Sequence, residues 1–132
     1  MLHQDTVIRL LRARDAIHAR YPEPLSLAQL AREAALSPFH FLRLFRAAFG
    51  RTPHQYLTQV RLEAAKRLLL DDAPVTDVCF EVGFQSLGSF SALFARRVGA
   101  PPSAFRRRIH AWPYGPQRLY IPNCYVQAFS QF

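Results

Sequence analysis

The sequence predicts an all-α fold: seven helices, followed by an irregular aromatic C-terminal tail. Three observations predict it. Apolar residues recur at three- and four-residue spacing from residue 5 to about residue 108. Ser, Thr, Pro and Gly stand where such segments start and stop. No stretch of convincing apolar–polar alternation appears before residue 110.

The first helix covers residues 5–20, with Val7, Ile8, Leu11, Ala16 and Ile17 on its expected apolar side; Pro22 and Pro24 end it. Ser26 with Gln29 forms a capping box for a second helix, in which Leu27, Leu30, Ala31 and Ala34 share a face. Ser37-Pro38 starts a third, with Phe41, Leu44, Phe45 and Ala48 as its stripe and Gly50 as its C-terminal stop. Thr52-Pro53 repeats the start signal, and Thr52 with Gln55 is a second capping box. The long fourth helix runs through Tyr56, Leu57, Val60, Ala64, Leu68 and Leu69 to about Asp71-Asp72. After Pro74, Val75, Val78, Cys79 and Val82 make a short fifth helix closed by Gly83. Ser86 to Val98 is the sixth, with Phe90, Leu93 and Phe94 inward and Gly99 as cap. Pro102 opens a seventh, through Phe105 into Arg106, Arg107 and Arg108.

Residues 111–132 differ. Pro113, Pro116 and Pro122 exclude a helix by pattern, while Trp112, Tyr114, Tyr120, Tyr125, Phe129 and Phe132 make the segment too apolar for a plain solvated tail. It is expected to pack on the helical body or on another chain.

The bulk numbers narrow the function. The chain has 132 residues, 50% of them hydrophobic, so it supports a packed core. Its net charge is +8 and its pI about 10.5, which favours a polyanionic partner. Lys66 is the only lysine; the excess is arginine, whose planar fork suits phosphates and guanine edges. Cys79 and Cys124 lie far apart with no CxxC spacing. His3, His18, His40, His54 and His110 show no HxxxH or HExxH, so neither a zinc finger nor a metalloprotease is indicated. No segment reaches the roughly 18 apolar residues of a membrane span, and the N-terminus lacks a signal-type apolar region. A cytoplasmic protein with no cofactor is expected. A triad of Ser86, Asp77 and His110 can be written on paper, but nothing fixes its geometry, and no phosphate loop or nucleophile elbow is present; an enzyme is not expected.

The chain repeats itself. Shifted by 48 residues, Leu30 falls on Val78, Ala31 on Cys79, Ala34 on Val82, Ala35 on Gly83 and Leu36 on Phe84. With one residue inserted after Pro38, Phe41 falls on Phe90, Leu44 on Leu93, Phe45 on Phe94, Gly50 on Gly99, Pro53 on Pro102 and Tyr56 on Phe105. The unit is two helices joined by a tight turn, with helix-turn-helix arithmetic: a small residue in the first helix (Ala31, Cys79), a turn position four residues on (Ala35, Gly83) and an apolar anchor in the second helix (Phe41, Phe90). Gly83 suits a left-handed turn. Ala35 at positive φ costs about 1 kcal/mol, so the first turn is expected to be tighter or differently shaped. A generic αα-hairpin explains one copy; two copies in a basic chain point to DNA. A fourth helix of about 18 residues is about 27 Å long. That length suits a strut holding two recognition helices near the roughly 34 Å between successive major grooves. The expected organisation is 1–51 and 73–110 as helix-turn-helix subdomains, 52–72 as linker helix and 111–132 as tail.

These residues resemble a known family. The stretch SPFHFLRLFRAAFGRTPHQYLTQVRLEAAKRLLL, and above all GFQSLGSFSALFARRVGAPPSAFR, is similar to the DNA-binding domain of AraC/XylS-type bacterial transcription regulators. The resemblance covers about residues 5–108. It implies two helix-turn-helix units, no cofactor and regulation of promoters, often activation through RNA polymerase, by a DNA-binding unit able to act as a monomer. It places the base-facing positions at Phe39, Leu42, Arg43 and Arg46 in the first unit and at Leu87, Gly88, Ser89 and Ala92 in the second. Arg43 is the expected guanine reader, while Phe39 and Leu42 suit thymine methyls. The second face carries little that reads bases, a departure from the family's longer polar side chains, and is expected to position more than specify. Phosphate contacts are expected at the helix starts near Ser37 and Ser86 and from Arg51, Arg96, Arg97, Arg106, Arg107 and Arg108. Many members of that family carry a separate effector domain; with Met1 only a few residues before the first helix none is expected here, and a short stand-alone regulator or an excised fragment both fit. The alternative function is a helix-turn-helix-derived protein-interaction module with weak or non-specific DNA binding.

Overall fold

The computed structural model describes residues 3–71 and 73–111. They form seven α-helices: α1 Gln4–Arg20, α2 Leu27–Glu33, α3 Pro38–Phe49, α4 Pro53–Leu68, α5 Val75–Glu81, α6 Leu87–Val98 and α7 Pro102–His110. No strand occurs among the described residues. The expectations for the aromatic tail fall, from residue 112 on, outside them. The chain divides into two compact units, Met1–Arg61 and Leu62–Phe132, and the division lies inside α4 rather than at its ends.

In the first unit α1 packs on α2 and α3, and α2 on α3. The core is Leu10, Ala13 and Ile17 of α1, Leu30 and Ala31 of α2 with Ala34 at its end, Phe41 and Phe45 of α3, and Leu57 of α4. Phe45 is its centre, with ring centroids 5.5 Å from Phe41, 4.5 Å from Phe49 and 5.6 Å from Tyr56. Burying a phenylalanine of this kind is worth about 1.5–3 kcal/mol over leaving it exposed. Two expectations are corrected here. The buried face of α1 is Leu10–Ala13–Ile17, while Val7 and Ile8 are 38% and 44% exposed. The spacing of the apolar residues permits either stripe, and the packed one contains a small residue where the neighbouring helices approach. Ala48 is exposed, and Phe49 packs on the core instead.

Both capping boxes form. Ser26 Oγ accepts from the Gln29 amide at 3.1 Å and Gln29 Oε1 accepts from the Ser26 amide at 2.8 Å. Thr52 and Gln55 repeat the exchange at 3.1 and 3.0 Å. Arg61 ties the loop before α2 into place: its Nε donates to the Tyr21 carbonyl and its Nη2 to that of Glu23, both at 2.8 Å. Partial burial of this guanidinium lowers its pKa.

The buried residues of the second unit include Leu62, Ala65 and Leu69 from the α4 side, Val78 and Cys79 of α5, Phe90, Phe94 and Val98 of α6, and Phe105 and Ile109 of α7. A chain of rings, Phe84–Phe90–Phe94–Phe105, links them at 5.1, 5.7 and 5.5 Å. Arg106 of α7 donates through Nη2 to the carbonyls of Asp71, at 2.8 Å, and Ala73. It secures the loop before α5 as Arg61 secures the loop before α2. Lys66, nearly buried, pairs with Glu63 at 3.0 Å. Burial pushes the Cys79 thiol pKa up.

The repeat is structural. In the first unit the Leu36 amide donates to the Ala31 carbonyl and the Ala35 amide to Arg32, each at 3.0 Å. In the second the Phe84 amide donates to Cys79 and the Gly83 amide to Phe80, each at 3.1 Å. Ala35 takes a left-handed φ of 54° and Gly83 a φ of 105°. The first turn is thus differently shaped at this position, as its non-glycine residue leads one to expect. The two turns share one hydrogen-bond pattern, and Ala35 sits inside the small left-handed region open to L-residues.

Candidate nucleic-acid interface

Ser37 accepts the His40 amide at 3.3 Å on its Oγ, and Pro38 occupies the first helical position, so the start of α3 is set locally. Phe41 and Phe45 point inward, which turns Phe39, His40, Arg43 and Arg46 to the outside. Phe39 is 70% exposed. The Arg43 guanidinium lies over its ring, 5.7 Å from the centroid. Leu42, the other expected methyl contact, is half-buried and lines a pocket of about 280 Å³ with Leu25, Leu27, Leu30 and Leu57. The structure thus brings Phe39 and Arg43 together and draws Leu42 partly towards the body of the first unit. Arg46 is exposed and Arg51 half-buried. His40, not singled out from the sequence, is exposed beside Phe39 on the first turn of α3.

On α6 the Ser86 Oγ accepts the Ser89 amide at 3.3 Å, and Leu87, Gly88, Ser89 and Ala92 are all exposed. Gly88 has ordinary helical geometry. A Cβ added there meets only Ser86 Oγ, at 3.8 Å, so packing within the unit does not require glycine. Ser37 and Ser86 each use a lone pair on their cap and keep a hydroxyl proton suited to an outside acceptor such as a phosphate. Arg96, Arg107 and Arg108 are exposed and Arg97 is half-buried. Arg106 differs from its neighbours, because its fork is already spent on the Asp71 and Ala73 carbonyls.

Charge is segregated along the sequence in a way the net value hides. No Asp or Glu occurs between Glu33 and Glu63, nor anywhere after Glu81. Those two acid-free stretches contain α3 and α6–α7. The surfaces carrying Arg43, Arg46, Arg96, Arg107 and Arg108 therefore have no acid on their own helices to neutralise them, as a surface that meets a polyanion requires. Among the described residues no group of three or more metal-binding side chains is clustered, and no helix is long and apolar enough to cross a membrane.

The family model described as a helix-turn-helix domain matches residues 30–108. The MmsAB operon regulatory protein of Pseudomonas aeruginosa is 39% identical over 97 residues, 73% of this chain and 30% of that protein. The regulatory protein SoxS of Salmonella typhimurium is 29% identical over 110 residues, 83% of this chain and all of that protein. The DNA-binding domain of the global transcriptional factor AdpA, solved in complex with a target DNA, matches with a TM-score of 0.76 at 30% identity, covering 80% of this chain and 96% of that one. The chain thus spans under a third of the MmsAB regulator's length and the whole of SoxS.

Proposed function

The chain belongs to the AraC-type helix-turn-helix family of DNA-binding transcription regulators, and from that premise we propose that it is a sequence-specific regulator that inserts α3 and α6 into successive major grooves of a DNA duplex. The observation that carries this reading is the outer face of α3, where Arg43, Arg46 and a 70% exposed Phe39 stand on a stretch without acidic residues. Arg43 takes a guanine through O6 and N7, with about 1–3 kcal/mol of discrimination. Arg46 lies on the same face, one turn nearer the end of the helix.

The second unit anchors more than it specifies. Leu87, Ser89 and Ala92 offer one short polar group and two apolar ones. Ser37, Arg51, Ser86, Arg96, Arg97, Arg107 and Arg108 supply the phosphate contacts that fix register. Arg106 contributes by holding the loop before α5. The continuous α4 joins the two reading units, so one chain takes the place of a dimer. A regulator of this kind works in the cytoplasm, without a cofactor, and RNA polymerase is its second partner when it activates.

A second reading, an interaction module with weak DNA preference, draws on the short side chains of α6. Selection of bound sites from random duplexes at defined salt separates the two. The regulator reading expects one well-defined half-site and a second, more degenerate one. An unenriched pool favours the interaction module.

A further inference from the structure

The repeat breaks down at one place, and a pocket stands there. Leu25, Leu27, Leu30, Leu42 and Leu57, all in the first unit, wall a space of about 280 Å³. In the register of the repeat these positions are Ala73, Val75, Val78, Ser91 and Arg106 in the second unit. There Arg106 sends its fork to the carbonyls of Asp71 and Ala73. In the first unit the carbonyl of Glu23, the counterpart of Asp71, is held by Arg61 instead, one turn further along α4. Position 57 is thereby left to a leucine. The leucine wall comes from the first unit's own sequence and is not a by-product of the helix-turn-helix fold.

Size and lining define what the pocket takes. Protein interiors leave few voids larger than a water molecule, and a leucine-lined cavity of about 150 Å³ takes up benzene. A space of about 280 Å³ holds a compact apolar body of about a dozen heavy atoms. Leu27 is exposed and Leu25 and Leu42 are half-buried, so an occupant removes apolar surface from water on the protein as well as on itself. Polar groups come from the start of α4, where Thr52 and His54 line the pocket. The Thr52 hydroxyl accepts the Gln55 amide and keeps its proton to donate, and the exposed His54 offers a ring N–H. Charge selects the sign of the ligand. The first unit has nine arginines against four acids, and no acid stands between Glu33 and Glu63. Asp5, Asp15 and Glu33 are already paired with Arg9, Arg14 and Arg20. The field of such a unit favours a carboxylate and disfavours an ammonium.

We infer that this pocket binds a compact apolar monocarboxylate, with its body among the leucines and its carboxylate at Thr52 and His54, and that occupancy opposes DNA binding. The second half rests on the reading that α3 enters the major groove. Leu42 belongs to α3, and a carboxylate bound beside it adds negative charge next to a surface that meets phosphates. The opposition is reciprocal: DNA weakens binding of the acid by the same factor.

The test uses the whole chain and three probes of one shape, 3-cyclohexylpropionate, 3-cyclohexylpropanol and 3-cyclohexylpropylamine. Without DNA, the acid is expected to shift the amide resonances of Leu25, Leu30 and Leu57 saturably, with half-saturation below about 1 mM. The alcohol is expected to bind more weakly and the amine most weakly. Leu27→Trp, which adds bulk at the exposed edge of the pocket, is expected to abolish the shifts. His54→Ala is expected to narrow the difference between acid and alcohol. Unchanged circular dichroism melts verify that both variants fold. At saturating acid, affinity for a duplex obtained by site selection is expected to fall about fivefold or more. Acetate at the same concentration, which matches the ionic strength, is expected to leave it unchanged. Absence of saturable shifts, or shifts that persist in Leu27→Trp, overturns the inference and leaves α3 as the reader. Saturable binding with unchanged duplex affinity overturns the opposition to DNA. Site selection tests the proposed function separately, and the titration without DNA does not depend on it.

Discussion

Ala35 and Gly83, 48 residues apart, occupy the same turn position of the two helix-turn-helix units, and both lie at positive φ, 54° and 105°. The following amide, of Leu36 or Phe84, closes the same bond to the carbonyl of Ala31 or Cys79. Only one of the two positions carries the residue that such a backbone favours. Ala35→Gly is expected to relieve steric strain while freeing the unfolded chain. The two effects nearly cancel, leaving a gain between zero and about 1 kcal/mol. Gly83→Ala puts a side chain at a φ well beyond the left-handed well and is expected to cost about 1–3 kcal/mol. Urea unfolding of both variants measures the asymmetry; equal and opposite changes of similar size contradict it.

The proposed function assigns Arg43 and Arg107 different duties. Arg43→Ala is expected to weaken binding to the preferred site by about 1–3 kcal/mol and to relax the sequence preference at one position. Arg107→Ala is expected to weaken binding to all sequences alike and to lower the salt slope by about one. Titrations of specific and scrambled duplexes at several salt concentrations distinguish them. If both variants show one pattern, the division between reading and anchoring is wrong.

Arg106 and Arg107 are neighbours with separable roles. The Arg106 fork holds the carbonyls of Asp71 and Ala73, whereas Arg107 is exposed. Hydrogen bonds from a charged donor contribute about 1.5–3 kcal/mol. Arg106→Ala is therefore expected to lower unfolding stability by about that much, and Arg107→Ala by less than about 0.5 kcal/mol. Thermal melts without DNA check this, and equal melting temperatures for the two variants contradict it.

Cys79 is fully buried in α5, where its unit-one counterpart is Ala31. Burial raises its thiol pKa, so the folded state holds the proton more tightly than the unfolded chain. That contribution to stability is present below the ordinary thiol range and is lost as pH rises through the raised folded value. In a Cys124→Ser background, Cys79 is expected to react with thiol reagents only as fast as the unit opens. Adding Cys79→Ala is expected to flatten the alkaline fall in stability. Rapid labelling of the native protein contradicts the burial.

The helix starts and the repeat were legible because they are local. Ser26–Gln29 and Thr52–Gln55 satisfy backbone groups within four residues, and Gly50 and Gly99 stop helices by their own conformational freedom. What depended on partners was not. The α1 pattern allowed Val7 and Ile8 inward, and only the packing of α2 and α3 selected Leu10, Ala13 and Ile17. Leu42 occupies an expected reading position on α3, and the sequence does not show that it is half-buried beside a pocket lined by Leu25, Leu27 and Leu30. Arg106 reads in the sequence as one of three equivalent arginines, because the carbonyls it holds are more than 30 residues away along the chain. The contact of Phe39 with Arg43 was implicit in their i, i+4 spacing, but a rotamer decides whether such a pair touches or splays.

In the proposed function one chain grips two neighbouring turns of a duplex through α3 and α6. Hydroxyl-radical footprinting of the whole chain on a selected site tests this most directly. Two protected patches about 10 base pairs apart, on one face of the duplex, are predicted. Protection confined to a single turn, with contacts from α3 alone, contradicts it.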